Sequence, residues 1–113
     1  MKYIIAIIQP HRLENVLELL TQKEIHLVTV SKVEGRGRQG GVQTVYRGQK
    51  ETGTLLQKIK LEIAVNDAFV QPAIDAIMQG ARTGKIGDGK VFVFDLPMCL
   101  RVRTGETGSV AIG

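Results

Sequence analysis

Gly84-Lys85-Ile86-Gly87-Asp88-Gly89-Lys90 is the stretch whose residue types most readily do chemistry. Glycines let backbone N–H groups come close to an anion, and successive N–H groups in a turn form an anion-binding nest. Lys90 follows at once. Arg101 and Arg103 lie two residues apart, which on a strand turns both to one face. Each guanidinium offers planar, bidentate donors to phosphate oxygens. A nest, one lysine and two arginines together suit a polyphosphate. Read from spacing alone, the same residues also fit tight turns and a solvated strand face, because glycine is ordinary in turns.

Two fingerprints are imitated here and neither has its context. Gly35-Arg36-Gly37-Arg38-Gln39-Gly40 fits G-x-G-x-x-G, but a long polar loop follows it where a dinucleotide site needs a helix to open. Gly84 to Lys90 fits G-x-x-x-x-G-K, but Val91 stands where Ser or Thr should hold magnesium, and a strand follows. His11 and His26 have no cysteine or paired carboxylate at ligand spacing. Glu62 and Asp88 could act as acids, yet no nucleophile or catalytic histidine accompanies them.

The elements that must position these residues follow from periodicity. Residues 2–9 read as an Ile-rich buried strand stopped by Pro10. Leu13, Val16, Leu17 and Leu20 fall at helical spacing and predict a helix over 11–23. Residues 25–33 are rich in β-branched types and predict a strand. Residues 35–55 hold six glycines and few large apolar groups, a long loop of the kind usually reserved for function. Ile59, Leu61, Ile63 and Val65 alternate with Lys58, Lys60, Glu62 and Ala64, giving a strand over 56–66. Phe69, Ala73, Ile74, Ile77, Met78 and Ala81 form a second helical stripe; Val91–Phe94 and Leu100–Arg103 read as strands, and the tail from Gly105 is expected to fray. The predicted order is that of an α+β, ferredoxin-like βαββαβ unit, an antiparallel sheet with helices on one face, occupying residues 1–113 as a single domain. That architecture hosts many functions and names none.

Bulk composition narrows the classes. The 113 residues carry a net charge of +4, which suits anionic ligands or acidic partner surfaces. The basic residues are spread along the chain and only 4% of residues are aromatic, so the stacking platforms of single-strand nucleic-acid binders are missing. Cys99 is the one cysteine and fits a reducing cytoplasm. Gln9 and Pro10 interrupt the first apolar run too soon for a signal peptide, and no stretch approaches a membrane span. The small aliphatic core makes a homo-oligomer plausible.

The stretch Thr83–Val93, followed by Arg101-Val102-Arg103-Thr104-Gly105-Glu106, resembles the C-terminal signature of PII signal-transduction proteins. Ala6–Pro10, Gly35–Gln39, Tyr46-Arg47-Gly48 and Lys58–Glu62 also sit where that family has similar residues, and the likeness runs over nearly the whole chain. The resemblance implies a regulatory homotrimer, not an enzyme, with ATP or ADP in the clefts between subunits. It implies phosphate contacts from Gly87, Gly89, Lys90, Arg101 and Arg103, with Asp88 in the same set. Thr29, Gly35, Gly37, Glu62 and Ala64 match positions near the nucleotide, and Arg38 one close to its phosphates. Gln39 matches the residue that helps hold Mg2+ and 2-oxoglutarate; Lys58 and Gly87 match effector positions. Residues 37–55 correspond to the long, flexible T-loop that docks on an ammonium transporter, another membrane transporter or a metabolic enzyme, through positions such as Tyr46, Gln49, Lys50 and Glu51.

The chemistry agrees with what the resemblance implies. Magnesium bridging phosphate and keto-acid oxygens wants oxygen donors, and Lys58 is a suitable counter-ion for a dianion. One departure stands out. Glu51 and Gln49 occupy the positions of the uridylylated tyrosine and the phosphorylated serine of some PII proteins, so neither modification has its acceptor there. Tyr46 matches a position not used for uridylylation and reads as a loop anchor. Gly40 stands where a lysine is frequent. A PII-like trimer with another effector, or a small nucleotide hydrolase, are the other readings.

Overall fold

Alternation in the first strand decides which way the sheet faces. In β1 (Lys2–Ile8), Ile4, Ala6 and Ile8 are fully buried, while Tyr3, Ile5 and Ile7 lie half-buried on the opposite face. The computed structural model describes residues 1–37 and 54–113, together with the backbone pairing of 45–46 with 49–50. After β1 come α1 (Leu13–Gln22), β2 (Thr29–Gly35), the short strands β3 (Val45–Tyr46) and β4 (Gln49–Lys50), β5 (Leu56–Val65), α2 (Val70–Ala81), β6 (Lys90–Asp95) and α3 (Ser109–Ile112). Short 3-10 turns, Pro10–Arg12 and Asp67–Phe69, lead into α1 and α2.

The main sheet runs β2-β5-β1-β6 with every pair antiparallel. That is the ferredoxin-like order expected from the sequence. Register sets Ile4 against Ile63, Ala6 against Leu61 and Ile8 against Ile59, so the apolar sets of the two central strands share one face. Val16 and Leu20 of α1 and Ala73, Ala76 and Ile77 of α2 close the core over it. The helices approach closely because Gly80 has no side chain: a Cβ there would sit 2.9 Å from Val16 Cα. Arg12 fastens the same junction, its Nε donating to the Gly80 carbonyl at 2.7 Å, a cation on the last carbonyls of α2.

Several boundaries differ from expectation for local reasons. Pro10 fixes a 3-10 turn first, so α1 starts at Leu13, not at 11. The strand expected over 25–33 is Thr29–Gly35, because residues 23–25 close the helix. The Ile25 amide donates to the Leu20 carbonyl and the Glu24 amide to the Thr21 carbonyl, both at 2.9 Å. This is a Schellman ending, with Glu24 at φ +62 in the place glycine prefers. Leu100–Arg103 forms no strand. Leu100 makes one isolated bridge to Thr107, and the chain turns over 102–104 because the Arg101 amide bonds back to the Glu106 carbonyl at 2.9 Å. Nor does the segment from Gly105 fray: it ends in α3, with Ala111 buried.

Candidate functional site

Asp88 shapes the second glycine loop. Its carboxylate accepts from the amides of Thr83 and Gly84, each at 2.8 Å, and from the Thr83 hydroxyl. The Thr83 hydroxyl first, and the backbone amides with it, hold the carboxyl below its usual range, while desolvation opposes them. The side chain is thus engaged by the turn itself. Around it Gly84, Gly87 and Gly89 take φ values of +87, +105 and +100. Gly89 has a second reason to be glycine: a Cβ would lie 1.7 Å from the Ile7 carbonyl oxygen, so the loop backbone runs directly against the end of β1.

Lys58 ties this loop to the sheet. Its Nζ donates to the Gly87 carbonyl at 2.8 Å, although only 8% of the residue is exposed. Burial pushes its pKa down, and the nearby Asp88 charge opposes that. Gly35 at the end of β2 lies beside it, the Lys58 Cγ 3.9 Å from where a Cβ would stand, an ordinary contact distance. Together Gly35, Gly37, Lys58, Gly87, Gly89 and Lys90 line one open cleft of about 320 Å³. Six residues singled out from sequence therefore converge, drawn from two glycine-rich segments about fifty residues apart and from the strand between them.

Thr29, Glu62 and Ala64 line a different cleft, also about 320 Å³, with Tyr3, Cys99 and Ile112. Glu62 is fixed there. The Tyr3 hydroxyl donates to its Oε2 and Lys60 Nζ lies 3.7 Å from its Oε1. The bond to Glu62, then burial, raises the Tyr3 phenol above its ordinary value. Thr29 pairs with Glu62 and Gly35 with Leu56. The two clefts hence lie toward opposite ends of one strand pair, their nearest lining residues on β5, Lys58 and Glu62, four residues or about 13 Å apart.

Arg101 and Arg103 line neither cleft. They sit at a turn, not on one strand face, which corrects the expectation from their spacing. Arg101 is held locally, with Nη1 3.1 Å from Glu106 Oε1 and Nη2 donating to the Val110 carbonyl at 3.2 Å. Arg103 is exposed. Arg38, Gln39, Tyr46, Gln49, Lys50 and Glu51 lie outside the residues whose side chains are described. Sequence reasoning missed Tyr3, Cys99 and Ile112, and nothing in their spacing marks them. Among the described residues no group of three His, Cys, Asp or Glu could hold a metal, and no helix is long and apolar enough to cross a membrane.

Comparison with known proteins covers the whole arrangement. A family model described as nitrogen regulatory protein P-II matches residues 1–106. The chain is 48% identical to nitrogen regulatory protein GlnK1 of Methanosarcina mazei over 99% of this chain and 97% of that one. It is 47% identical to nitrogen regulatory protein P-II 1 of Escherichia coli K12 and 46% identical to nitrogen regulatory protein P-II of Rhizobium etli, each over 99% of this chain and 100% of the relative.

Proposed function

The chain belongs to the nitrogen regulatory protein P-II family, and on that premise we propose that it is a cytoplasmic signal-transduction homotrimer that binds ATP or ADP between subunits and controls partner proteins. The observation that carries this reading is the separation of the two clefts. One has glycine backbone and lysines and suits phosphates; the other has apolar walls and one fixed carboxylate and suits a nucleoside. They face separate ends of the strand pair on one subunit; in a homotrimer the phosphate half of one copy would meet the nucleoside half of the next. Arg101 and Arg103, remote from the phosphate cleft of their own chain, then serve the neighbour's.

In this reading Mg2+ bound to the phosphates is completed by Gln39 and by 2-oxoglutarate, an oxygen set suited to the ion. Lys58, already at the mouth of the phosphate cleft, meets the keto-acid carboxylate. Residues 37–55 dock on a nitrogen-metabolism enzyme, a transporter or a regulator, in a shape biased by the bound ligands. The relatives are named regulatory proteins, which supports a regulator over a hydrolase. A different effector is the second reading, favoured by Gly40 and by the Gly48–Gly53 loop tip with Glu51 and Gln49.

Calorimetry with ATP and ADP, with and without Mg2+ and 2-oxoglutarate, tests the proposal. Nucleotide should bind, and Lys90→Ala or Arg103→Ala should weaken it by about 1.5–3 kcal/mol each, the size of a charge-assisted contact. A chain that binds neither nucleotide is not this kind of sensor. Binding of nucleotide without any keto-acid response selects the second reading.

A further inference from the structure

Another cleft, of about 220 Å³, opens between the end of α2 and the ends of β1 and β6, and it backs on to the glycine-lined one. Its lining is mostly apolar: Ile8, Ile77 and Ala81 are buried, and Met78 stands exposed beside them. Arg82 supplies the charge. Its amide donates to the Met78 carbonyl at 3.1 Å, which keeps the residue at the helix end, and its side chain makes no hydrogen bond or ion pair among the described residues. Asp88 also lines the cleft, but its carboxylate is engaged by the amides of Thr83 and Gly84. Apolar walls with one or two placed polar groups are the usual form of a small-molecule site. The volume is below the roughly 300–1,000 Å³ that holds drug-sized ligands, so the occupant is small. Ile7, Gly89 and Lys90 line both clefts. The partition is thin and tight, since a Cβ on Gly89 would lie 1.7 Å from the Ile7 carbonyl oxygen.

We propose that this cleft binds a small aliphatic monocarboxylate, its hydrocarbon body against Ile77 and Met78 and its carboxylate on the Arg82 guanidinium, and that the bound acid weakens polyphosphate binding across the Gly89 wall. The coupling rests on the nucleotide reading of the glycine-lined cleft; the binding of the acid does not. Chemistry selects the occupant. No aromatic side chain lines the cleft to stack a ring, and aliphatic walls suit an alkyl body. A guanidinium takes a carboxylate through two parallel hydrogen bonds. A second carboxylate on the ligand would face Asp88, so one is favoured. The sign of the coupling follows from charge. The two anions lie on either side of one backbone wall and draw on the same Lys90, which lines both clefts. Each therefore lowers the affinity of the other, and by the same factor.

The full chain, labelled at isoleucine and methionine methyl groups, is titrated with isocaproate and with its neutral counterpart isocaproamide, as wild type and as Arg82→Gln. Arg82 is exposed and outside the residues read as nucleotide-binding, so this variant should fold and bind ATP as the wild type does. Isocaproate at millimolar concentration should shift the Ile77 and Met78 methyl signals, and isocaproamide should bind about threefold more weakly, the size of an exposed ion pair. Arg82→Gln should weaken isocaproate by about the same factor and leave isocaproamide unchanged. In calorimetry, saturating isocaproate should weaken ATP about threefold in the wild type. Equal affinity for acid and amide, unmoved Ile77 and Met78 signals, or an isocaproate affinity indifferent to Arg82→Gln overturns the site. ATP affinity unaltered by saturating acid overturns the coupling. No ATP binding with isocaproate absent defeats the nucleotide reading and the coupling with it, while the methyl titration still decides the acid site.

Discussion

Glu24 holds a left-handed backbone, φ +62, at the end of α1, where a Cβ is disfavoured by about 1 kcal/mol. The turn is otherwise well made, with Ile25 and Leu20 both buried beneath it. Glu24→Gly should therefore raise stability by up to about 0.5 kcal/mol in urea unfolding, the strain relieved slightly exceeding the extra freedom glycine gives the unfolded chain. Asp88 is the converse, a charged residue whose position depends on its charge. Its folded pKa lies below the ordinary 3.8, so its contribution is present above that value and disappears as pH falls through the lower folded one. Asp88→Ala should cost about 1 kcal/mol at neutral pH, and the gap between variant and wild type should close in unfolding curves taken as acid is added below pH 4. An unchanging gap would mean that packing, and not the carboxylate, holds the loop.

At the scale of elements, the contact of α1 with α2 depends on a missing side chain. Alanine at Gly80 would gain up to about 1 kcal/mol of helix propensity. Against that, a Cβ 2.9 Å from the Val16 main chain forces the helices apart, at about 1–3 kcal/mol. The second effect is larger because the close neighbour is backbone and cannot swing aside. Gly80→Ala should thus lower stability by about 1 kcal/mol, read from its denaturation midpoint. Strand ends matter differently: they carry the site. Gly35 ends β2, Lys90 begins β6 and Lys58 lies near the start of β5, so β5 pairing with both β1 and β2 is what gathers the glycine-lined cleft.

On the whole molecule, the face of the sheet away from the helices is only partly covered by the described residues. Phe92 is 44% and Phe94 50% exposed, beside Tyr3 and Ile5 of β1. Exposed aromatic residues on a sheet face are expensive to leave in water, and a homotrimer would cover them. Phe94→Asp should shift sedimentation from trimer toward single chains and abolish ATP binding with it, because the two half-sites would no longer meet. ATP bound at wild-type strength by a monomeric variant would contradict a site shared between subunits.

Local pattern and residue chemistry determined a good deal. The alternation of β1 and β5 and the helical stripes through Val16 and Ile77 prescribed the ferredoxin-like sheet, since burial of one face leaves few other solutions. The glycines and Lys90 marked a candidate anion site, with tight turns as the other reading of the same spacing. Tertiary structure alone decided that Lys58 is buried against Gly87, that Thr29 and Gly35 belong to separate clefts, and that Arg101 bonds to residues following it instead of lying on a strand. These depend on which backbones come to lie beside one another. Sequence spacing reports the period of an element, whereas a contact between Arg101 and Val110, or Lys58 and Gly87, is fixed by how the finished chain packs.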